Sequence, residues 1–145
     1  MANRLALDRF LPYRLSVASN LVSDRIAQAY RALFGLTIPE WRLVAVAAEA
    51  GPIAPATLGE RTRMDKVTVS RAATALVARG LLARAPHGQD RRSHLLALTD
   101  AGRALYARVA PEALKLERRL LASFSAEEVA TLTAMLRRLE EAAVN

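Results

Sequence analysis

The sequence predicts a mainly α fold with one small β-hairpin, and three features of it carry that expectation. Apolar residues recur at steps of three and four through most of the chain, and Thr, Asp and Ser residues placed as caps mark where successive helices begin. Only residues 81–98 change character, to two short strand-like runs around a turn-rich centre. With 52% hydrophobic content and six glycines and six prolines in 145 residues, the chain can bury a real core, which argues against disorder.

Over residues 12–33, the positions Leu15, Ala18, Val22, Ile26, Ala29 and Leu33 form one stripe of a long helix, with Pro12 tolerated in its first turn. Val17 and Leu21 widen the stripe beyond one packing face, so a second partner surface is implied. Gly35 ends this helix. Thr37-Ile38-Pro39-Glu40 then forms a capping box, in which hydroxyl and carboxylate each satisfy an orphan backbone donor. A helix is expected from 41 to about 50, stopped by Gly51-Pro52, with Trp41, Leu43, Val44 and Val46 in the core.

Residues 56–62 form a short helix, Arg63-Met64 a break, and Asp65 the N-cap of a helix running to about residue 79, with Met64 and Val69 as a hydrophobic staple. Two short helices joined by a tight break make a helix-turn-helix. In the second of them Val69, Ala72, Ala73, Leu76 and Val77 share one side, while Lys66, Ser70, Arg71 and Thr74 share the other.

Gly80 closes that helix, and strands are expected over 81–85 and 93–98. The segment between them, 86–92, is turn-rich and carries Arg91 and Arg92 side by side, so the hairpin has a basic tip and serves as a wing. Thr99-Asp100 caps a further long helix with Leu105, Val109, Leu116 and Leu120, in which Pro111 predicts a kink near residue 108 or a local break. Ser125-Ala126-Glu127-Glu128 is a second capping box, stapled by Phe124 to Val129. It opens a last helix on which Val129, Leu132, Leu136 and Leu139 again step by three and four.

The first and last long helices are too amphipathic to stand alone in water, and pairing them with their copies in a second subunit buries both. The expected organisation is therefore a single domain over 1–145 that forms an obligate homodimer. Within it, a winged helix-turn-helix lobe spans 36–99, and a helical dimerisation region spans 8–35 and 100–145.

Charge follows the same division. The net +7 is distributed as +2 over residues 1–51, +5 over 52–98 and 0 over 99–145. A module that faces phosphate, flanked by helices that face partners, has this profile. With no cysteine, disulfides, thiolate metal sites and thiol-based peroxide sensing are excluded. His87 and His94 are the only imidazoles and both sit in the hairpin, which disfavours zinc sensing. No cofactor is implied. No apolar run reaches the roughly 18 residues of a membrane span, so no membrane partner and a cytoplasmic location are expected. No Ser-His-Asp set or glycine-rich phosphate loop points to an enzyme.

Four fragments, Val67-Thr68-Val69-Ser70-Arg71, Gly80-Leu81-Leu82-Ala83-Arg84, Asp90-Arg91-Arg92-Ser93 and Leu98-Thr99-Asp100-Ala101-Gly102, occur in an order and approximate spacing that resembles the MarR family of bacterial transcriptional regulators. The resemblance covers nearly the whole chain. It implies that the second helix of the pair enters the major groove of double-stranded DNA, a role that falls to Lys66, Thr68, Ser70, Arg71 and Thr74. Arg71 reads a base edge or contacts phosphate; both readings stay open. The family's wing motif maps onto Asp90 and Arg92, the arginine reaching the minor groove and the aspartate holding basic side chains, with His87 and Arg91 toward phosphate.

The family also implies a small aromatic or anionic effector, such as a phenolic acid or its CoA thioester, bound between the dimer arms and the lobe. The candidates for it are Tyr13, Arg14, Ser16, Asn20, Trp41 and Arg42. Arg14 or Arg42 would clamp a carboxylate while Tyr13 or Trp41 stacks on a ring; alternatively the arginines serve the surface or the dimer and Trp41 serves the core. The function expected is a sequence-specific regulator, a repressor, on a pseudopalindromic operator. The alternative is an architectural or protein-interaction module that binds DNA without reading sequence.

Overall fold

The computed structural model describes the backbone of residues 4–87 and 90–144, with side chains over 4–86 and 94–144. A 3-10 turn at Leu7–Arg9 precedes α1 (Leu11–Phe34), α2 (Ile38–Ala50), α3 (Pro55–Thr62), α4 (Lys66–Ala78), β1 (Leu82–His87), β2 (Asp90–Leu98), α5 (Asp100–Leu120) and α6 (Ala126–Val144). The chain divides into two units, Met1–Val109 and Ala110–Asn145.

In the first unit, α1 stops at Gly35, whose left-handed backbone (φ 63°) turns its N–H back onto the Arg31 carbonyl. Leu36 follows as a fully buried anchor. The capping box then closes in both directions: the Glu40 N–H donates to Thr37 Oγ1 at 3.2 Å, and the Thr37 N–H donates to Glu40 Oε1 at 2.9 Å. Because that box makes residues 38–40 its first turn, α2 begins at Ile38 and not at Trp41 as the apolar pattern suggested.

The turn of the helix-turn-helix is made by Arg63, held in the left-handed region at φ 54°, with the Met64 N–H donating to the Gly59 carbonyl at 3.1 Å. Asp65 then caps α4 by accepting the Thr68 N–H at 2.8 Å. One core joins these helices: Leu43, Val44 and Ala47 of α2, Leu58 of α3, and Val69, Ala72, Ala73 and Leu76 of α4 are all buried, together with Leu82 and Leu96 of the hairpin. Trp41 and Val46, expected in that core, are half-buried instead. Residues 43, 44 and 47 make the inner face of α2, and Trp41 lies beside it. Its ring sits 5.7 Å from that of Tyr30 and is stacked on Tyr106 at 5.8 Å.

The hairpin is longer than expected. β1 and β2 pair antiparallel from Leu82↔Leu98 to Pro86↔His94, and the register then jumps to His87↔Asp90. Much of the segment assigned to a turn is therefore strand. Ladder hydrogen bonds use main-chain groups and continue past the point where apolar alternation ends. The irregularity falls at Pro86, which has no N–H to donate. Ile53 adds a short third rung, exchanging hydrogen bonds of 2.9 and 2.8 Å with Leu96.

Thr99 caps α5, accepting the Gly102 N–H at 3.0 Å. A Cβ on Gly102 would lie 2.1 Å from the Leu81 carbonyl oxygen, so only glycine lets α5 start this close to the base of the hairpin. α5 is continuous through Pro111, so the local break does not occur. In the second unit, the Ser125–Glu128 box opens α6 with hydrogen bonds of 2.9 and 3.0 Å. No residue of α6 is buried, and on α1 only Tyr30 is.

Candidate nucleic-acid interface

α4 sits in the lobe by its apolar side, and this decides what its other side can do. With Val69, Ala72, Ala73 and Leu76 pinned inward, helical periodicity turns Lys66, Ser70, Arg71 and Thr74 out, and all four are exposed. Thr68 is half-buried, and its N–H is tied to the Asp65 carboxylate in the first turn. That hydrogen bond holds the Asp65 carboxyl below its ordinary value, and the nearby Arg71 charge lowers it further. Val67 is also outward and 59% exposed, an apolar residue on the otherwise polar side of α4.

A groove of about 810 Å³ runs between α3, α4 and the hairpin. Arg63, Lys66 and Ser70 line one wall, Arg84 and His94 the other, and Val69 and Leu96 lie at its apolar floor. Among the described residues, Arg63, Lys66, Arg71 and Arg84 have no ion-pair partner, since the pairs that form are Arg61–Glu49, Arg103–Asp100 and Lys115–Glu112. Glu60 and Asp65 line the groove as well, so three cationic side chains stand against two carboxylates, and the small positive excess favours a polyanion.

Arg63, Arg84 and His94 escaped the sequence reading. The period of two in β1 carried a signal, because it puts Arg84 on the same face as the buried Leu82, and cross-strand pairing adds Leu96 and His94 to that face. Arg63 gave no such signal. Its place depends on a left-handed turn that no residue type there announces. Of the wing residues, His87, Asp90, Arg91 and Arg92 have backbone positions on β1 and β2, while their side chains lie outside the described residues.

The candidates for an effector are dispersed. Tyr13, Arg14, Ser16 and Asn20 are all exposed on the amino-terminal half of α1, and Arg42 is exposed on α2. Trp41 stacks on Tyr106 and lies against Tyr30, whose hydroxyl is pushed up by burial and drawn back by the Arg42 charge. None of the six lines the groove or a second cavity of about 400 Å³ bounded by residues that include Ala47, Pro52, Leu98 and Tyr106. Among the described residues, no three His, Asp or Glu side chains gather as a metal site. No helix there is long and apolar enough to cross a membrane.

Comparison with known proteins places this geometry. A family model described as the MarR family matches residues 34–93, the end of α1 through most of the hairpin. The HTH-type transcriptional regulator PecS of Dickeya dadantii is 33% identical over 135 residues, which cover 91% of this chain and 79% of PecS. A mutant of E. coli MarR complexed with operator DNA has a TM-score of 0.82 at 25% identity, over 94% of this chain and 99% of that one. The PcaV transcriptional regulator of Streptomyces coelicolor, in complex with its natural ligand, has a TM-score of 0.79 at 27% identity over 99% of both chains. PecS and PcaV are transcriptional regulators.

Proposed function

The chain belongs to the MarR family of transcriptional regulators, and from that premise we propose that it acts as a homodimeric repressor whose two winged helix-turn-helix lobes grip one pseudopalindromic operator. The observation that carries this reading is the division of α4 into a buried apolar side and an exposed side bearing Lys66, Ser70, Arg71 and Thr74. A helix held this way offers donors to base edges in a major groove, with Thr68 at its first turn. Arg63 and Arg84, on opposite walls of the groove, supply phosphate contacts on either side. In the wing, Arg92 enters the minor groove with Asp90 orienting it, and His87 and Arg91 meet phosphate. That E. coli MarR is known in complex with operator DNA supports this arrangement.

Dimerisation rests on the apolar surface that the lone chain leaves in water. Leu21, Val22 and Leu33 of α1, and Leu132, Met135, Leu136 and Leu139 of α6, are all at least 38% exposed. Residues 8–35 and 100–145 accordingly form the region that pairs with a second copy, and 36–99 the DNA-binding lobe. A small aromatic or anionic effector, of the class of a phenolic acid or its CoA thioester, releases the DNA. The residues carried forward for this role are Tyr13, Arg14, Ser16, Asn20 and Arg42, which are exposed, and Trp41, which stacks on Tyr106; a second subunit would have to complete the site. PcaV, a family member solved with its natural ligand, supports regulation of this type.

Footprinting on the DNA that flanks the coding region tests the proposal, repeated with a panel of aromatic acids and their thioesters. A two-fold symmetric protected site with half-sites roughly 34 Å apart, lost on addition of one panel member, is the expected result. Salt-sensitive binding with no preference among sequences would instead make the protein an architectural module.

A further inference from the structure

We propose that Arg79 is a positioning residue that locks the bearing of the DNA-reading helix α4 to the carboxyl end of the long arm helix α1, and so sets how strictly the protein demands one half-site spacing. The inference rests on the operator-binding reading above and adds the part that joins reading head to arm.

Arg79 is the C-cap of α4, so its backbone moves with that helix. Its guanidinium crosses to α1: Nη1 donates to the Gly35 carbonyl at 3.1 Å and Nη2 to the Phe34 carbonyl at 3.3 Å. Carbonyls at the end of a helix have lost their intrahelical partners and carry the negative end of the helix dipole, so a cation that hydrogen-bonds them is favoured twice over. Two parallel N–H groups also fix an angle, which a single point charge does not. The side chain is exposed and takes no part in the apolar core, so geometry and not packing is what it contributes.

The same corner is tied on its other side. Gly80 (φ 72°) and Leu81 close α4 with hydrogen bonds from their N–H groups to Val77 and Leu76. Thr99 then donates from Oγ1 to the Gly80 carbonyl at 2.6 Å and from its N–H to the Leu81 carbonyl at 3.1 Å, while capping the first turn of α5. The carboxyl end of α4 is thus a joint between the last turn of α1 and the first turn of α5. In a dimer held by its arms, the separation of the two α4 helices is transmitted through this joint. The tie to α1 within it is the Arg79 fork.

The test uses the full-length protein and duplexes that it selects from a random-sequence pool, each also made with one base pair inserted or deleted at the centre. Affinities are compared for the unaltered protein, Arg79→Ala and Arg79→Lys, alongside thermal melts. The unaltered protein should lose affinity sharply off spacing. Arg79→Ala should bind the selected spacing about three- to tenfold more weakly, yet its penalty for altered spacing should shrink by a similar factor, with Arg79→Lys between the two. A parallel loss on all duplexes, or a loss that merely follows a lowered melting temperature, overturns the role. Indifference of the unaltered protein to both spacing and symmetry overturns the operator reading itself, and is distinguishable because it appears without any substitution.

Discussion

The Asp65 carboxylate both starts α4 and presents its first turn. Because hydrogen bonding from Thr68 lowers its pKa in the folded chain below the unfolded value, the stabilisation is complete above the unfolded value and is lost as pH falls through the folded one. Asp65→Ala should therefore lower the Tm at neutral pH, with the difference from the unaltered protein closing under acid; melts across pH 2–7 check this. Arg71 is exposed on the outward side of α4, so its substitution should leave stability unchanged. If it reads a base edge, Arg71→Ala costs roughly 1–3 kcal/mol of discrimination between operator and random DNA. An equal loss on both would make it a phosphate contact. Both residues were legible from periodicity and capping, which are local. For Arg84 and His94 the strand period marked only a shared face of the hairpin, since their proximity to Lys66 and Ser70 exists only once the hairpin folds beside α4.

Helix starts were the most legible elements, because a capping box writes its own geometry into four consecutive residues. Both boxes form, and the first even corrects the helix boundary that apolar spacing suggested. Strand ends were less legible, since a ladder is sustained by the partner strand and the main chain. Ile53 shows this most clearly: its rung to Leu96 joins residues far apart in sequence, and no local pattern announces it. The junction of α5 with the hairpin is the most sterically demanding element contact, because Gly102 leaves no room for a Cβ beside the Leu81 carbonyl. Gly102→Ala should destabilise the fold by about 3 kcal/mol, roughly 6–12 °C in Tm. It should weaken DNA binding only in proportion to the unfolded fraction, and calorimetry with parallel binding assays separates the two effects.

For the whole molecule, the apolar side chains of α1 and α6 that stay exposed in the lone chain set the expected dependence on a second copy. The Tm should rise with protein concentration, as for any fold completed by association. Leu136→Glu should weaken self-association on the order of 100-fold or more, since the burial of one leucine is lost from each subunit. Sedimentation equilibrium reads this directly, and a chain that remains a stable monomer at all concentrations would remove dimerisation from the mechanism.

By itself the sequence determined the mainly α fold with its helix-turn-helix and hairpin, and which side of α4 faces outward, because helical period, caps and turn chemistry act over a few residues. Only the tertiary structure decided that Arg63, Arg84 and His94 share a groove with α4, that Trp41 stacks on Tyr106, and that Arg79 holds the end of α1. Those contacts join segments tens of residues apart, and their existence depends on how buried faces pack rather than on any local preference of the chain.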